Sequence, residues 1–263
     1  MPAASLFRLL LLAAIWGGSF LFMRIAAPAV GATATTFGRL LFATAGLAAV
    51  LLALRVPLEF RGRLRAAVAI GLINSALPFL LFAAAAKVLP AGYSAMLNST
   101  VPIMGVLIGA AFFAEPATPA KLSGVALGLV GVLVLTQLGP VQLTAPVVAG
   151  IAACLVAAAC YASAGYLTRR WIVDRGGLDS RLVAFASLAG ATLALAPAFL
   201  LQLAGPGIDW TRATPRVWLS VASLGLLCSA LAFVLYYRLL VELGPFRTMT
   251  VTFLLPVFGV FWG

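Results

Sequence analysis

Apolar residues fill this chain in long blocks, and polar residues gather in the short stretches between them. A block of about 20 apolar residues is long enough to cross the hydrocarbon of a bilayer as an α-helix, which satisfies its own backbone hydrogen bonds there. Nine blocks meet that length, at about 6–25, 34–54, 66–86, 93–113, 120–137, 147–168, 182–203, 217–237 and 245–263. The pattern therefore predicts an all-α polytopic membrane protein. The short connections make neighbouring helices antiparallel and leave no place for a soluble domain.

Composition points the same way. Of 263 residues, 64% are hydrophobic and 9% are charged, against roughly 25% charged in a soluble domain. A soluble protein needs far more polar surface than this. The net charge of +11 invites a nucleic-acid reading, but the Arg residues sit between apolar blocks, where they hold loops on one side of a bilayer. No basic patch with interleaved aromatics exists to bind nucleic acid. With the N-terminus in the cytoplasm, most of the 17 Lys and Arg, among them Arg8, Arg55, Arg61, Arg63, Arg65, Arg169, Arg170 and Arg175, fall on the cytoplasmic side. The first block is long and lacks a cleavage site, so it reads as a retained span rather than a signal peptide. Cys154, Cys160 and Cys228 lie inside apolar blocks without metal-ligand spacing, so neither a metal nor a cofactor is expected.

The chain also repeats itself. "GLINSALPFLLFAAAAKVLP" at 71–90 lies over "GLLCSALAFVLYYRLLVELG" at 225–244, an offset of 154 positions, and in the same register "NSTVPIMGVLIG" at 98–109 lies over "TFLLPVFGVFWG" at 252–263. A first unit at 1–137 holds five spans, and a second unit begins near 147 and runs to 263. Because five is odd, the second unit enters the membrane from the opposite side. Inverted repeats of this kind are typical of secondary transporters, whose substrate site lies near the midplane at the repeat interface. By analogy with the first unit, a tenth span is expected beyond residue 263.

Several stretches resemble the EamA-type transporters of the drug/metabolite transporter superfamily. "AIWGGSFLFMRIA" (14–26) resembles their first-span motif. "LNSTVPIMGVLIGAAFFAEPATPAKLSGVALGLVGVLVL" (97–135) resembles the motif of span 4, loop and span 5, and "TFLLPVFGVFWG" is its second-unit counterpart. The resemblance implies a ten-helix inner-membrane carrier of two inverted five-helix units that exports amino acids, related metabolites or drugs. Ala114 departs from the pattern, standing where a Gly often precedes the acidic residue.

Candidate site residues follow from what is expensive in a membrane. Arg39 sits about a turn inside the second block; a charge there faces a cavity and binds a substrate carboxylate, or snorkels to the interface. Trp16, Asn74, Asn98, Tyr161 and Tyr237 place polar groups and aromatic walls in apolar spans, as a site for an amphipathic metabolite requires; hydrogen bonding between helices accounts for them equally well. Pro102 and Pro256 form a symmetric pair of kinks or hinges. Gly105 and Gly109, Gly259 and Gly263, and Gly124 and Gly128 are spaced for close helix packing. Glu115, after the fourth block, reads as a loop or cap residue. The chain has no His and its six acids fall in loops or at span ends, so no buried carboxylate relay for protons is visible. The sequence shows no cluster suited to a membrane enzyme. A small-molecule substrate and the lipid bilayer are the implied partners, with a homodimer left open. A channel or a non-transporting scaffold is the alternative reading, although scattered polar residues do not make the continuous polar stripe of a pore.

Overall fold

The computed structural model describes residues 3–136, 142–205 and 208–262. Among these residues the structure is helical without a strand. The nine expected spans are all present as helices. Helix 1 is Ala3–Val30 and helix 2 Ala32–Ala53; helix 3 is Leu64–Ala85 and helix 4 Ala91–Phe112. Helix 5 is Pro119–Thr136, helix 6 Ala145–Trp171, helix 7 Ser180–Ala204 and helix 8 Pro215–Leu243, and helix 9 covers 245–262. Seven of them are long and apolar enough to cross a membrane. Large apolar side chains such as Leu52, Phe112, Leu193 and Phe261 point outward, as they do where the surrounding solvent is lipid. The protein is a multi-pass membrane protein.

Element ends follow local chemistry. The stretch 26–33, expected as a loop, is helical except at Gly31. Pro28 lies within this stretch and is carried in the last turns of helix 1, and the stop comes at Gly31, whose φ of +86° turns the chain directly into helix 2. Gly244, with φ +78°, makes the same kind of abrupt turn between helices 8 and 9. Asp179 caps helix 7 by accepting from the Arg181 N–H at 2.8 Å. Helix 4 is interrupted at Ser99 and Thr100, and helix 9 passes through a tight turn of 3₁₀ helix at Thr250–Leu254. In both, the α-helix resumes with Pro102 or Pro256 in its first turn, where a missing N–H costs least.

The two halves interlock around a pseudo-two-fold axis. Helix 1 packs on helices 8 and 9 of the other half, and helix 6 packs on helices 3 and 4. Helices 2 and 7 pack along each other at the centre, where the Thr44 and Thr192 hydroxyls share a hydrogen bond of 2.9 Å. These two helices match at an offset of 148 positions, which pairs Phe37 with Phe185, Leu40 with Leu188, Ala43 with Ala191 and Leu47 with Leu195. Two equivalent glycines seat the outer helices on this central pair. A Cβ on Gly71 of helix 3 would strike the Ser187 carbonyl, and one on Gly225 of helix 8 would strike Phe42 and the Arg39 carbonyl. Of the six glycines expected at helix contacts, Gly105 lies against Met249, Gly109 against the Tyr166 ring, Gly128 against Phe253 and Gly259 against Ala95. Gly124 is a correction: it sits on the outer side of peripheral helix 5, with open space where a methyl group would go. Gly263 lies outside the described residues.

Candidate functional site

Helices 3 and 8 each contain a π-helical turn, at Leu72–Ala76 and Leu226–Leu231. The repeat offset maps one onto the other. A π-turn inserts a residue and frees backbone groups, and such turns recur at functional sites. In helix 8 the Ala232 N–H bypasses Cys228 and bonds Leu227 O, five residues back. The Cys228 carbonyl is thereby left to side chains. It accepts from the Trp16 indole at 3.1 Å and from Arg39 Nη2 at 3.3 Å.

Arg39 is 4% exposed. Its Nε donates to Ser229 Oγ at 2.7 Å, Nη1 reaches only the Met23 thioether at 3.9 Å, and the guanidinium carbon lies 3.5 Å from the centre of the Phe79 ring. No ion pair among the described residues includes Arg39. A guanidinium offers five N–H donors, and the contacts found here leave part of that fork unused.

Arg39 faces a cavity of about 50 Å³ between the two halves. Its walls come in repeat-related pairs: Phe79 with Phe233, Phe82 with Tyr236, Asn98 with Thr252, and Val101 with Leu255. Trp16 from helix 1 and Tyr161 from helix 6 also line it. The aromatic rings support one another, Trp16 against Tyr236 at 5.6 Å and Phe82 stacked on Tyr161 at 6.1 Å. Asn98 is 5% exposed, and its Oδ1 has no hydrogen-bond partner among the described residues. Arg39 thus presents positive charge and the Asn98 amide an unused polar group to one aromatic chamber.

Five of the six residues expected at a site line this cavity: Trp16, Arg39, Asn74, Asn98 and Tyr161. Tyr237 does not. It stands behind the wall, where its hydroxyl donates to Ser187 Oγ at 3.2 Å and accepts from Asn74 Nδ2 at 3.3 Å. Its neighbour Tyr236 faces the cavity instead. Pro102 and Pro256 also stay out of the lining, while the residues just before them, Val101 and Leu255, enter it. Phe79, Phe82, Phe233 and Thr252 carried no signal as single residues, but the 154-residue offset links each to a lining partner.

The end of the bundle holding the start of helix 1 is tied across the halves by polar contacts. Glu242 of helix 8 accepts from Ser5 at 2.8 Å and from Arg8 at 2.9 Å. Glu115 takes Arg169 of helix 6 at 2.9 Å and Lys121 at 3.2 Å, so the family acid acts in a loop tie. Arg63 donates to the carbonyls of Gly177, at 3.2 Å, and Arg175. Among the described residues, no group of three or more His, Cys, Asp or Glu is placed to hold a metal.

The family model of the EamA-like transporters matches the chain twice, over residues 4–137 and 148–263. No curated protein matches. A solved structure described as "Crystal structure of protein" is similar with a TM-score of 0.69 and 22% identity, over 99% of this chain and 87% of that one. At that identity the likeness speaks for the fold.

Proposed function

Since the chain belongs to the EamA-like transporter family, within the drug/metabolite transporter superfamily, we propose that it is a secondary-type carrier of small organic metabolites bearing a carboxylate. Amino acids and related compounds are the substrate class in view, and export by alternating access is the mode. The observation that carries this reading is Arg39, a cation 4% exposed, in an aromatic cavity between the halves, without an acid beside it. A buried charge lacking its partner costs several kcal/mol. A charge within a membrane span marks a substrate or ion path by default, and the planar guanidinium fork matches a carboxylate in two parallel hydrogen bonds.

The cavity volume supports alternation. At about 50 Å³ it has room for roughly three to five waters, against several hundred Å³ for a typical ligand site. A metabolite therefore enters only when the halves move apart. The ties at Glu242, Glu115 and Arg63 close one end of the bundle. With the N-terminus in the cytoplasm of an inner-membrane protein, as the Lys and Arg distribution favours, that closed end is the cytoplasmic one.

The test is counterflow in liposomes. Purified protein is preloaded with each of a panel of amino acids, 2-oxo acids, neutral sugars and amines. Saturable counterflow of the carboxylate compounds, with little for the neutral ones, is the expected result. Rapid non-saturable leakage would identify a channel, and saturable counterflow confined to sugars or amines would remove the carboxylate from the reading.

A further inference from the structure

The pseudo-two-fold axis pairs four residues of each half in the cavity wall, and the departures from that pairing are informative. Gly71 abuts the Ser187 carbonyl just as Gly225 abuts the Arg39 carbonyl. Arg39 and Ser187 are therefore structural equivalents, as the 148-residue match of helices 2 and 7 also requires. Ser75 and Ser229 are equivalents too, each on the π-turn of its helix. Their surroundings differ completely. Ser229 Oγ accepts from Arg39 Nε at 2.7 Å and donates to Leu224 O, five residues back, at 2.8 Å. Ser75 Oγ, fully buried, has no partner among the described residues. Ser187 is too short to reach it and spends its hydroxyl on Ala184 O at 3.0 Å and on Tyr237.

From this broken symmetry we infer that Ser229 is the positioning residue of the transport site, and that the subsite for an anionic group exists on the helix 2 and helix 8 side alone. A hydroxyl with its proton committed to Leu224 O keeps its lone pairs for Arg39. The Nε–Ser229 bond and the Nη2–Cys228 bond hold one edge of the guanidinium against the π-turn. The remaining N–H groups, toward Nη1 and Met23, are the ones left to meet a carboxylate. On the equivalent side, helix 3 has the π-turn and its serine, Ser75, but helix 7 offers Ser187 in place of a cation, and Ser187 is engaged by Tyr237. A substrate is thus held by its anionic end off the axis, while the paired aromatic rings serve its remaining part without regard to side. This inference rests on the carrier reading for its functional half and on geometry alone for its positioning half.

The two halves are tested separately in the full-length protein. In nanodiscs with ¹⁵N-labelled arginine, the wild type should show a slowly exchanging Nε–H resonance that Arg39→Lys removes. Ser229→Ala should speed its exchange at least about tenfold, the factor carried by a hydrogen bond from a charged donor. Ser229→Thr, which keeps the hydroxyl, should restore slow exchange, and Ser75→Ala should leave it as in the wild type. In liposomes, Ser229→Ala should raise the KM for L-leucine counterflow about tenfold with kcat little changed, and leave the KM for L-leucinamide unaltered. Unchanged Nε–H exchange in Ser229→Ala, or equal effects of Ser229→Ala and Ser75→Ala, would overturn the positioning role. An intact NMR pattern without counterflow of either compound in the wild type would sink the carrier reading for this class while leaving the positioning of Arg39 in place. An equal rise in KM for both compounds would overturn the anionic subsite.

Discussion

Replacing Arg39 by Leu separates what the buried cation costs from what it does. The substitution removes the 2.7 Å bond to Ser229 and the 3.3 Å bond to Cys228 O, worth about 1.5–3 and about 1 kcal/mol. It also removes the contact with the Phe79 ring, worth about 2 kcal/mol when desolvated. Against these losses, the folded protein no longer holds a guanidinium that is 4% exposed without a counter-ion, a burden of several kcal/mol. The two sides nearly cancel, and Leu approximates the apolar volume of the Arg stem. Arg39→Leu should therefore unfold within a few degrees of the wild type, since 1 kcal/mol moves the Tm of a chain of this size by about 2–4 °C. Carboxylate transport should fall at least about 30-fold, because the substrate's charge then enters the cavity unpaired at a cost of 2–5 kcal/mol. The assays are thermal unfolding in detergent and counterflow in liposomes on the same preparations. A Tm drop of more than about 10 °C would mean that Arg39 is chiefly a structural bolt between helices 2 and 8. Undiminished counterflow would remove it from the substrate path.

Other outcomes follow from the same geometry. Gly71→Val and Gly225→Val drive a side chain into the Ser187 and Arg39 carbonyls and should each destabilise by about 1–3 kcal/mol or more. Gly124→Val, facing open space, should stay within about 0.5 kcal/mol, so melting curves of the three variants check the packing directly. Glu242→Gln removes the charge that holds Arg8 and Arg238, side chains 23% and 58% exposed. Ties this exposed are worth under about 1 kcal/mol, so a cysteine placed at Ser19 in the cavity should react about two- to fivefold faster with an impermeant thiol reagent applied from the helix 1 end. Arg181 holds the Asp179 carboxyl below the usual carboxylate range through side-chain hydrogen bonds. Stability from this pair is thus complete above the ordinary value of about 3.9 and is lost as pH falls below it. Asp179→Asn should flatten a plot of Tm against pH below about pH 4, whereas an unchanged slope there would mean that other carboxylates set it.

The helices were legible because a single quantity, the length of apolar sequence, decides whether a segment spans a bilayer. Their ends were less so: Pro28 suggests a break earlier than the one that forms, since helix 1 carries that proline and stops only at Gly31. Polar residues in apolar spans led to Arg39, Asn74 and Asn98, since each is too costly there to lack a use. The rule failed at Tyr237 because adjacent residues on a helix point about 100° apart, and composition cannot say which of Tyr236 and Tyr237 faces inward. Phe79, Phe82 and Phe233 were invisible singly, as one apolar residue among many. The internal offset makes them visible, because the cavity lies on the axis that the duplication creates and its walls must therefore recur. The π-turns carry their own faint mark, a polar pair in the middle of an apolar span, Asn74–Ser75 and Cys228–Ser229. Symmetry explains why a cavity exists at that depth, but a symmetric pair of neutral π-turns would hold a carboxylate no better on one side than the other. On the proposed carrier reading, discrimination enters where the duplication has diverged, at Arg39 against Ser187 and at Asn98 against Thr252. Those positions, rather than the shared Gly and Pro framework, are where changes in sequence should alter what the protein carries without altering how it folds.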